Sequence, residues 1–166
     1  MPSTGRRIAV DVGQARVGVA ESDPDGILAS PVTTLKRDLT PAAADQSALA
    51  EIVARAGAHV VYVGLPLSLD GGLGAAAELA RAYAVSLAGR VAPARVRLVD
   101  ERFSTVESHR RLHDSGRPGR AHREVVDQVA AVLILNAALD AERATGQQAG
   151  EWVRPGGRKP RTKERR

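Results

Sequence analysis

The sequence predicts a mixed α/β fold, in which a three-stranded antiparallel meander leads into βαβ crossovers and gives a five-stranded sheet flanked by helices. The first 35 residues contain three short β-like runs joined by tight connections. From residue 41 onward, Ala-rich segments with helical periodicity alternate with short runs of Val, Leu and Ile. The chain has 166 residues, 43% of them hydrophobic and 26% charged, which is typical of one globular domain with a single core.

The antiparallel half of the sheet is predicted at the N-terminus. Residues 7–12 and 17–22 are predicted strands, and residues 13–16 form the tight connection between them. Residues 27–35 are a third extended segment. Pro31 within this segment suits an edge strand, because proline has no N–H to donate to a neighbouring strand.

The remaining elements alternate between helix and strand. The spacing of Ser104 and Glu107 matches a capping box, which predicts that a helix begins just after Ser104 and ends near Gly116. The other predicted elements are a helix over residues 41–58, a strand over 59–65, a helix over 74–91, a strand over 96–99 and a last helix over about 121–145. This order predicts a parallel half built by crossovers.

Composition excludes several kinds of site. The chain has no cysteine, which excludes disulfides, zinc–thiolate sites, iron–sulfur clusters and thiol catalysis. No apolar run approaches the roughly 20 residues that a membrane span requires, and the N-terminus does not have the pattern of a signal peptide. We therefore expect a cytoplasmic protein with no membrane partner.

The net charge of +5 is concentrated at the C-terminus. Residues 1–145 contain 17 basic and 17 acidic residues, whereas residues 146–166 contain seven basic and two acidic ones. This division predicts a folded domain over residues 1–145 and a basic, flexible tail over residues 146–166. Such tails add salt-sensitive affinity for phosphate backbones, although a terminus that only improves solubility has the same composition.

A second basic region lies inside the neutral domain. Six arginines fall between residues 102 and 123, against only Glu107 and Asp114. Arginine suits phosphate because its planar guanidinium makes two parallel hydrogen bonds to the oxygens. A solvated face has the same pattern, so the region favours nucleic-acid binding only in combination with nearby catalytic residues.

Three groups of carboxylates are predicted to meet at one edge of the sheet. Asp11 ends an apolar strand, and Asp100 and Glu101 end another, at the carboxyl edge where open α/β sheets place their ligands. Asp127 begins a helical stripe whose other members are apolar: Ala130, Ala131, Ile134, Ala138 and Ala141. An ion pair with an arginine would explain any one of these carboxylates alone. Several converging carboxylates require cations, and oxygen ligands alone suit Mg²⁺ or Mn²⁺.

Four segments carry a resemblance to a known family. They are residues 8–13 (IAVDVG) with 16–20 (RVGVA), residues 63–67 (VGLPL) with 70–71 (DG), residues 100–107 (DERFSTVE), and residues 126–135 (VDQVAAVLIL). In this order they resemble the YqgF/RuvX family, which has a ribonuclease H-like fold. Its members are described as pre-16S ribosomal RNA nucleases or Holliday junction resolvases. The resemblance covers residues 8 to about 140 and leaves out the tail.

The resemblance implies a catalytic site with divalent metal. It makes Asp11, Glu101 and Asp127 both the catalytic residues and the ligands of Mg²⁺ or Mn²⁺, with Asp100 as a candidate assistant.

The resemblance also implies a substrate side to the site. Arg102 would contact the scissile phosphate or a substrate strand, and Arg16 and the loop over residues 64–72 would lie beside it. The family often has a lysine a few positions before the final aspartate. Here the nearest basic residue is Arg123, four residues before Asp127, and we assign it to substrate binding.

The expected protein is therefore a hydrolase, a divalent-metal-dependent nuclease of structured RNA that matures the 5′ end of pre-16S ribosomal RNA, with a ribosomal precursor particle as a possible partner. One alternative is a Holliday junction resolvase acting on four-way, branched DNA, which requires a symmetric homodimer. Another is a non-catalytic nucleic-acid-binding module. That module would bind without metal, and its binding would survive Asp11→Asn.

Overall fold

The computed structural model describes residues 4–67, 70, 72–101 and 120–156. A mixed sheet lies at its centre, with the strand order β3-β2-β1-β4-β5-β6. The strands are β1 (Arg7–Val12), β2 (Arg16–Ser22), β3 (Ala29–Lys36), β4 (Val60–Leu65), β5 (Arg95–Asp100) and β6 (Glu151–Val153). The helices in the described residues are α1 (Ala44–Ala56), α2 (Ala75–Val91) and α3 (Arg120–Thr145).

The sheet topology has the two predicted halves. Strands β1, β2 and β3 form an antiparallel meander, and β1, β4 and β5 run parallel to one another. Helices α1 and α2 provide the crossovers into β4 and β5, so that both strands start from the edge of the sheet at which β1 starts. The carboxyl ends of β1, β4 and β5 therefore lie at one edge, which is where the sequence predicted a site.

The two faces of the sheet bury different side chains. Alternation along β1 directs Ile8 and Val10 into the core with α1 and α2, and Ala9 into the core with α3. Small residues such as Ala9 and Ala20 on the second face let α3 pack closely, with Ala131 and Ile134 fully buried. Of the helices that the structure describes, none is long and apolar enough to cross a membrane.

The sheet has six strands instead of the five predicted. Glu151–Val153 pairs antiparallel with β5 and adds an edge strand. Ala149 and Val153 are buried, so the first part of the predicted tail packs on the domain. A strand of three residues with a single buried side chain is too short to give a periodic signal in the sequence. Residues 157–166 and the predicted helix over residues 104–116 lie outside the described residues.

A buried polar network fixes the C-terminal half of α3 on the sheet. Glu142 of α3 forms an ion pair with Arg7 of β1, with 2.9 Å between Oε2 and Nη2. The hydroxyl of Tyr62 on β4 donates a 2.5 Å hydrogen bond to Glu142 Oε1. The same hydroxyl accepts a hydrogen bond from the backbone N–H of Ala149. These contacts anchor α3 to two central strands and to the segment that leads into β6.

Candidate functional site

Asp11 lies near the carboxyl end of β1 and on the face of the sheet that packs against α3. It follows Ala9 by two positions, and residues two apart on a strand point to the same face. Only 8% of Asp11 is exposed. An aspartate at this depth in an apolar layer requires compensating interactions, because burying a charge without them is costly.

Glu101 brings a second buried carboxylate to the same face. It follows β5 directly, and its backbone N–H donates a 3.2 Å hydrogen bond to the carbonyl of Leu65 at the end of β4. Its side chain crosses over Gly64, so that a Cβ at Gly64 would overlap Glu101 Oε1. Glu101 is 3% exposed. Gly64 lies one position beyond the Val10–Val63 pair of β1 and β4, so this carboxylate stands beside Asp11.

Asp127 approaches the site from the other side of Asp11. Gly18 on β2 is the register partner of Asp11 on β1. A Cβ at Gly18 would overlap the backbone carbonyl of Asp127. The first half of α3 therefore lies directly against β2. Directly opposed residues on antiparallel strands have Cα atoms about 5 Å apart, so this contact places Asp127 next to Asp11.

Thr34 on β3 holds the N-terminal part of α3 in that position. Its hydroxyl donates a 2.7 Å hydrogen bond to the carbonyl of Glu124 and accepts one from the side chain of Gln128. Thr34 is also the register partner of Gly18 on β2. The position of Asp127 is thus set both by the side chain of Thr34 on β3 and by the lack of a side chain at Gly18 on β2.

The carboxylate of Asp127 is held by Arg16. The guanidinium Nε of Arg16, the first residue of β2, donates a 2.7 Å hydrogen bond to Asp127 Oδ2. The two side chains are 30% and 19% exposed, so solvent reaches this ion pair. The described residues contain no group of three or more His, Asp or Glu side chains that could hold a metal ion. The structure thus brings the three predicted positions to one face, with Asp127 engaged by an arginine.

The other predicted residues lie at the rim of the site or beyond the described residues. Asp100 is exposed at the end of β5. Arg123 is exposed on α3, one turn before Asp127. Arg102 and most of the arginine-rich region belong to residues 102–119, which the structure does not describe.

Sequence reasoning gave Gly18 no role and assigned Gly64 only to the substrate-side loop over residues 64–72, and it missed that both glycines make room for the site. Gly18 and Gly64 lie on the strands on either side of β1, and each is covered by an element that carries a predicted catalytic residue. Both occur inside apolar strand runs, at positions where most residues would add packing. An isolated glycine in a strand pattern is itself a signal that another group approaches the backbone closely.

Comparisons with known proteins give a consistent result. The family model described as RuvX, Holliday junction resolvase, matches residues 5–141. A protein of Nocardioides sp. with the name "Putative pre-16S rRNA nuclease" is 53% identical over 154 residues, covering 90% of this chain and 96% of its own length. Proteins of the same name from Streptomyces coelicolor and Thermobifida fusca are 50% and 51% identical, each over 90% of this chain and over 88% and 96% of their own lengths.

The fold is shared with a solved RuvC structure. T. thermophilus RuvC in complex with Holliday junction substrate superposes with a TM-score of 0.50 at 13% sequence identity, covering 85% of this chain and 97% of that chain. At this identity the likeness concerns the fold alone. The RuvC structure and the described sheet support the ribonuclease H-like architecture that the sequence motifs implied.

Proposed function

The chain belongs to the RuvX family, and we propose that it is a divalent-metal-dependent nuclease that hydrolyses phosphodiester bonds during 5′-end maturation of pre-16S ribosomal RNA. The observation that carries the proposal is the pair of buried carboxylates, Asp11 and Glu101, side by side at the carboxyl edge of the sheet. Close relatives that carry the ribosomal RNA nuclease name support the choice of substrate. This role places the protein in the cytoplasm, with the ribosomal precursor particle as its partner.

The residues present fit a hard divalent cation. Asp11 and Glu101 supply only oxygen atoms, which are the ligands that Mg²⁺ and Mn²⁺ prefer. Gly64 leaves open the space that a side chain would fill, and the carboxylate of Glu101 occupies it. Neighbouring carboxylates repel each other, and a cation between them would remove that repulsion. Asp11 and Glu101 would therefore hold the metal, with Asp127 as the third ligand.

Arg16 connects substrate binding to the third ligand. Its guanidinium holds Asp127 but is still 30% exposed, so an incoming phosphate can compete for it. A phosphate that takes over Arg16 releases the Asp127 carboxylate toward Asp11 and Glu101. A metal held by these residues would activate a water molecule and stabilise the charge that develops on the phosphate. Arg123, exposed one turn before Asp127, and Arg102 provide further contacts to the substrate.

Cleavage assays with matched variants test this function. Labelled pre-16S ribosomal RNA, single-stranded RNA and a four-way DNA junction are each incubated with protein and Mg²⁺, Mn²⁺ or EDTA. We expect cleavage of the ribosomal precursor that requires metal and is lost in Asp11→Asn, Glu101→Gln and Asp127→Asn. The control is Asp140→Asn, which removes an exposed carboxylate from the other end of α3, where it pairs with Arg143.

The same assay distinguishes the alternatives. The family description and the fold shared with RuvC favour a four-way DNA junction as the second candidate substrate. Selective junction cleavage by a dimer of this chain, with symmetric cuts, would replace the ribosomal RNA assignment, because symmetric resolution needs two sites. If nothing is cut and all variants bind nucleic acid equally well without metal, the chain is a non-catalytic binding module.

A further inference from the structure

The outer part of the sheet presents a separate group of side chains on the same face as the candidate site. Val96 and Leu98 of β5 and Val153 of β6 point into the core with α1 and α2. The residues that alternate with them therefore point to the α3 side: Arg95, Arg97, Trp152 and Arg154. In the described residues α3 packs mainly on β1, β2 and β3, which leaves this outer region beside the helix.

Two arginines stack on one tryptophan in this region. The guanidinium carbons of Arg95 and Arg154 lie 4.5 and 4.8 Å from the centroid of the Trp152 ring. Arg95 and Arg154 stand one position beyond the Val96–Val153 pair, so the two cations face each other across the strands. Like charges directly opposite each other are unfavourable in a sheet. A bound polyanion would relieve this repulsion. Before the polyanion binds, stacking on the indole of Trp152 holds both guanidiniums in place.

Arg97 stabilises the cluster formed by Arg95, Trp152 and Arg154. It is the register partner of Trp152, and its guanidinium donates hydrogen bonds of 2.6 and 2.7 Å to the carbonyls of Ala149 and Gly150. These bonds fix the turn that leads into β6. The ring of Trp152, 36% exposed, is therefore carried on a strand held in position rather than on a loose segment.

The acidic residue of β6 does not neutralise the cluster. Glu151 points to the other face, where it lies 3.5 Å from Arg81 of α2. The sequence then adds positive charge directly after the strand, because six of the ten residues in 157–166 are Lys or Arg. Alternating cationic and aromatic groups of this kind are typical of surfaces that bind single-stranded nucleic acids, where bases stack on rings and phosphates pair with arginine.

We propose that Arg95, Trp152 and Arg154 form a second nucleic-acid-binding site, which holds a single-stranded segment of the substrate at a distance from the cleavage site. A base stacks against Trp152, and the neighbouring phosphates bind Arg95 and Arg154. Arg95 lies six residues before Glu101 along β5, which separates the two sites by about 20 Å. That the segment belongs to a cleaved substrate rests on the proposed function; the binding itself does not.

Trp152 is the only tryptophan in the chain, so its fluorescence reports on this site directly. The full-length protein is titrated in EDTA with single-stranded RNA of about 12 nucleotides, which is within the usual site size. We expect quenching of Trp152 that saturates together with the fluorescence anisotropy of the labelled RNA. Inorganic polyphosphate, which has charge but no bases, should compete for binding and quench much less. Binding without quenching, or equal quenching by polyphosphate, would overturn the proposal.

Variants separate this site from general electrostatic attraction. Trp152→Ala should weaken RNA binding about 5- to 150-fold, the range expected for loss of one base–aromatic stack, and Trp152→Phe should restore much of it. Arg95→Gln with Arg154→Gln should also weaken binding. The control pair, Arg55→Gln with Arg90→Gln, removes two exposed charges from α1 and α2 on the opposite layer and should change affinity less than twofold. Equal losses in the two pairs would contradict a defined site.

The nuclease activity and the second binding site are tested independently. Quenching is measured without metal and repeated in Asp11→Asn, so it does not depend on cleavage. Persistent quenching with no cleavage of any substrate would contradict the proposed nuclease and leave the second site standing. Normal cleavage with unchanged binding by Trp152→Ala, once thermal melting shows that the variant is folded, would remove the second site and leave the nuclease.

Discussion

The carboxylate of Glu101 occupies the space above Gly64 that a β-carbon would fill. A similar relationship holds on the other side of β1, where the backbone of Asp127 covers Gly18. Asp11 stands between these two glycines in the strand order β2-β1-β4. Asp11, Glu101 and Asp127 therefore come to one face because the two strands beside β1 lack side chains at this level of the sheet.

Gly64→Ala should damage both the site and the fold. The added methyl group would overlap Glu101 Oε1 and lie 2.5 Å from Ile134 Cδ1, so the carboxylate and the helix must both move. We expect a loss of about 1–3 kcal/mol in the free energy of unfolding, as for other overpacked cores, and loss of cleavage. Urea denaturation and the cleavage assay measure the two effects.

The control for this variant is Gly89→Ala in α2. Nothing lies within 4 Å of a Cβ at Gly89. Alanine is the better helix former, so this change should stabilise the protein by roughly 0.5–1 kcal/mol and leave cleavage intact. A Gly64→Ala protein that is as stable and as active as wild type would refute the proposed packing of Glu101.

Gly18→Ala should be more destabilising than Gly64→Ala. The overlap at Gly18 is with the backbone carbonyl of Asp127, which can move only if the helix moves with it. At Gly64 the nearest group is a carboxylate that can rotate. Hydrogen exchange of the amides in the first half of α3 measures the displacement, and we expect faster exchange there in Gly18→Ala. Equal melting temperatures for the two variants would contradict this ranking.

The sequence predicted most of this arrangement for identifiable reasons. Alternation and apolar stripes predicted the strands and α3, so Asp11 and Asp127 were assigned to one edge of the sheet. Strand β6 was not predicted, because only Val153 of its three residues is buried. The pairing of Arg16 with Asp127 joins residues 111 apart in the sequence, and such a contact follows from strand register, which local patterns do not specify. The two strand glycines also signalled that another group approaches the backbone closely. At Gly18 that group could be identified only once the structure placed α3 against β2.

Arg16→Gln should have opposite effects on metal and substrate. The change removes a positive charge 2.7 Å from Asp127, so Mn²⁺ should bind more tightly in calorimetric titrations without nucleic acid. Nucleic-acid affinity should fall, because a phosphate contact is lost. The free energy of unfolding should change by less than about 1 kcal/mol, since solvent screens this ion pair.

Arg143→Gln, which breaks the exposed Arg143–Asp140 pair at the other end of α3, should alter neither binding property. Weaker Mn²⁺ binding by Arg16→Gln would contradict the assignment of Asp127 as a ligand.

The two tyrosines should make the protein lose stability at high pH. Burial and the hydrogen bond to Glu142 raise the pKa of Tyr62, and burial together with Asp45 raises the pKa of Tyr83. Above about pH 10 the unfolded chain releases both phenolic protons, whereas the folded chain keeps them. The stabilisation is therefore complete below pH 10 and is lost as pH rises, by about 1.4 kcal/mol per pH unit for each tyrosine.

Urea denaturation at several pH values above 10, compared with the same measurement near neutrality, tests this pH dependence. Tyr62→Phe should remove about half of the slope, because Tyr83 is the only other tyrosine in the chain. The phenolate absorbance of the native protein should appear only as the protein unfolds. Formation of both phenolates near pH 10 in a protein that stays folded would show that Tyr62 does not hold Glu142, and with it α3, in the observed position.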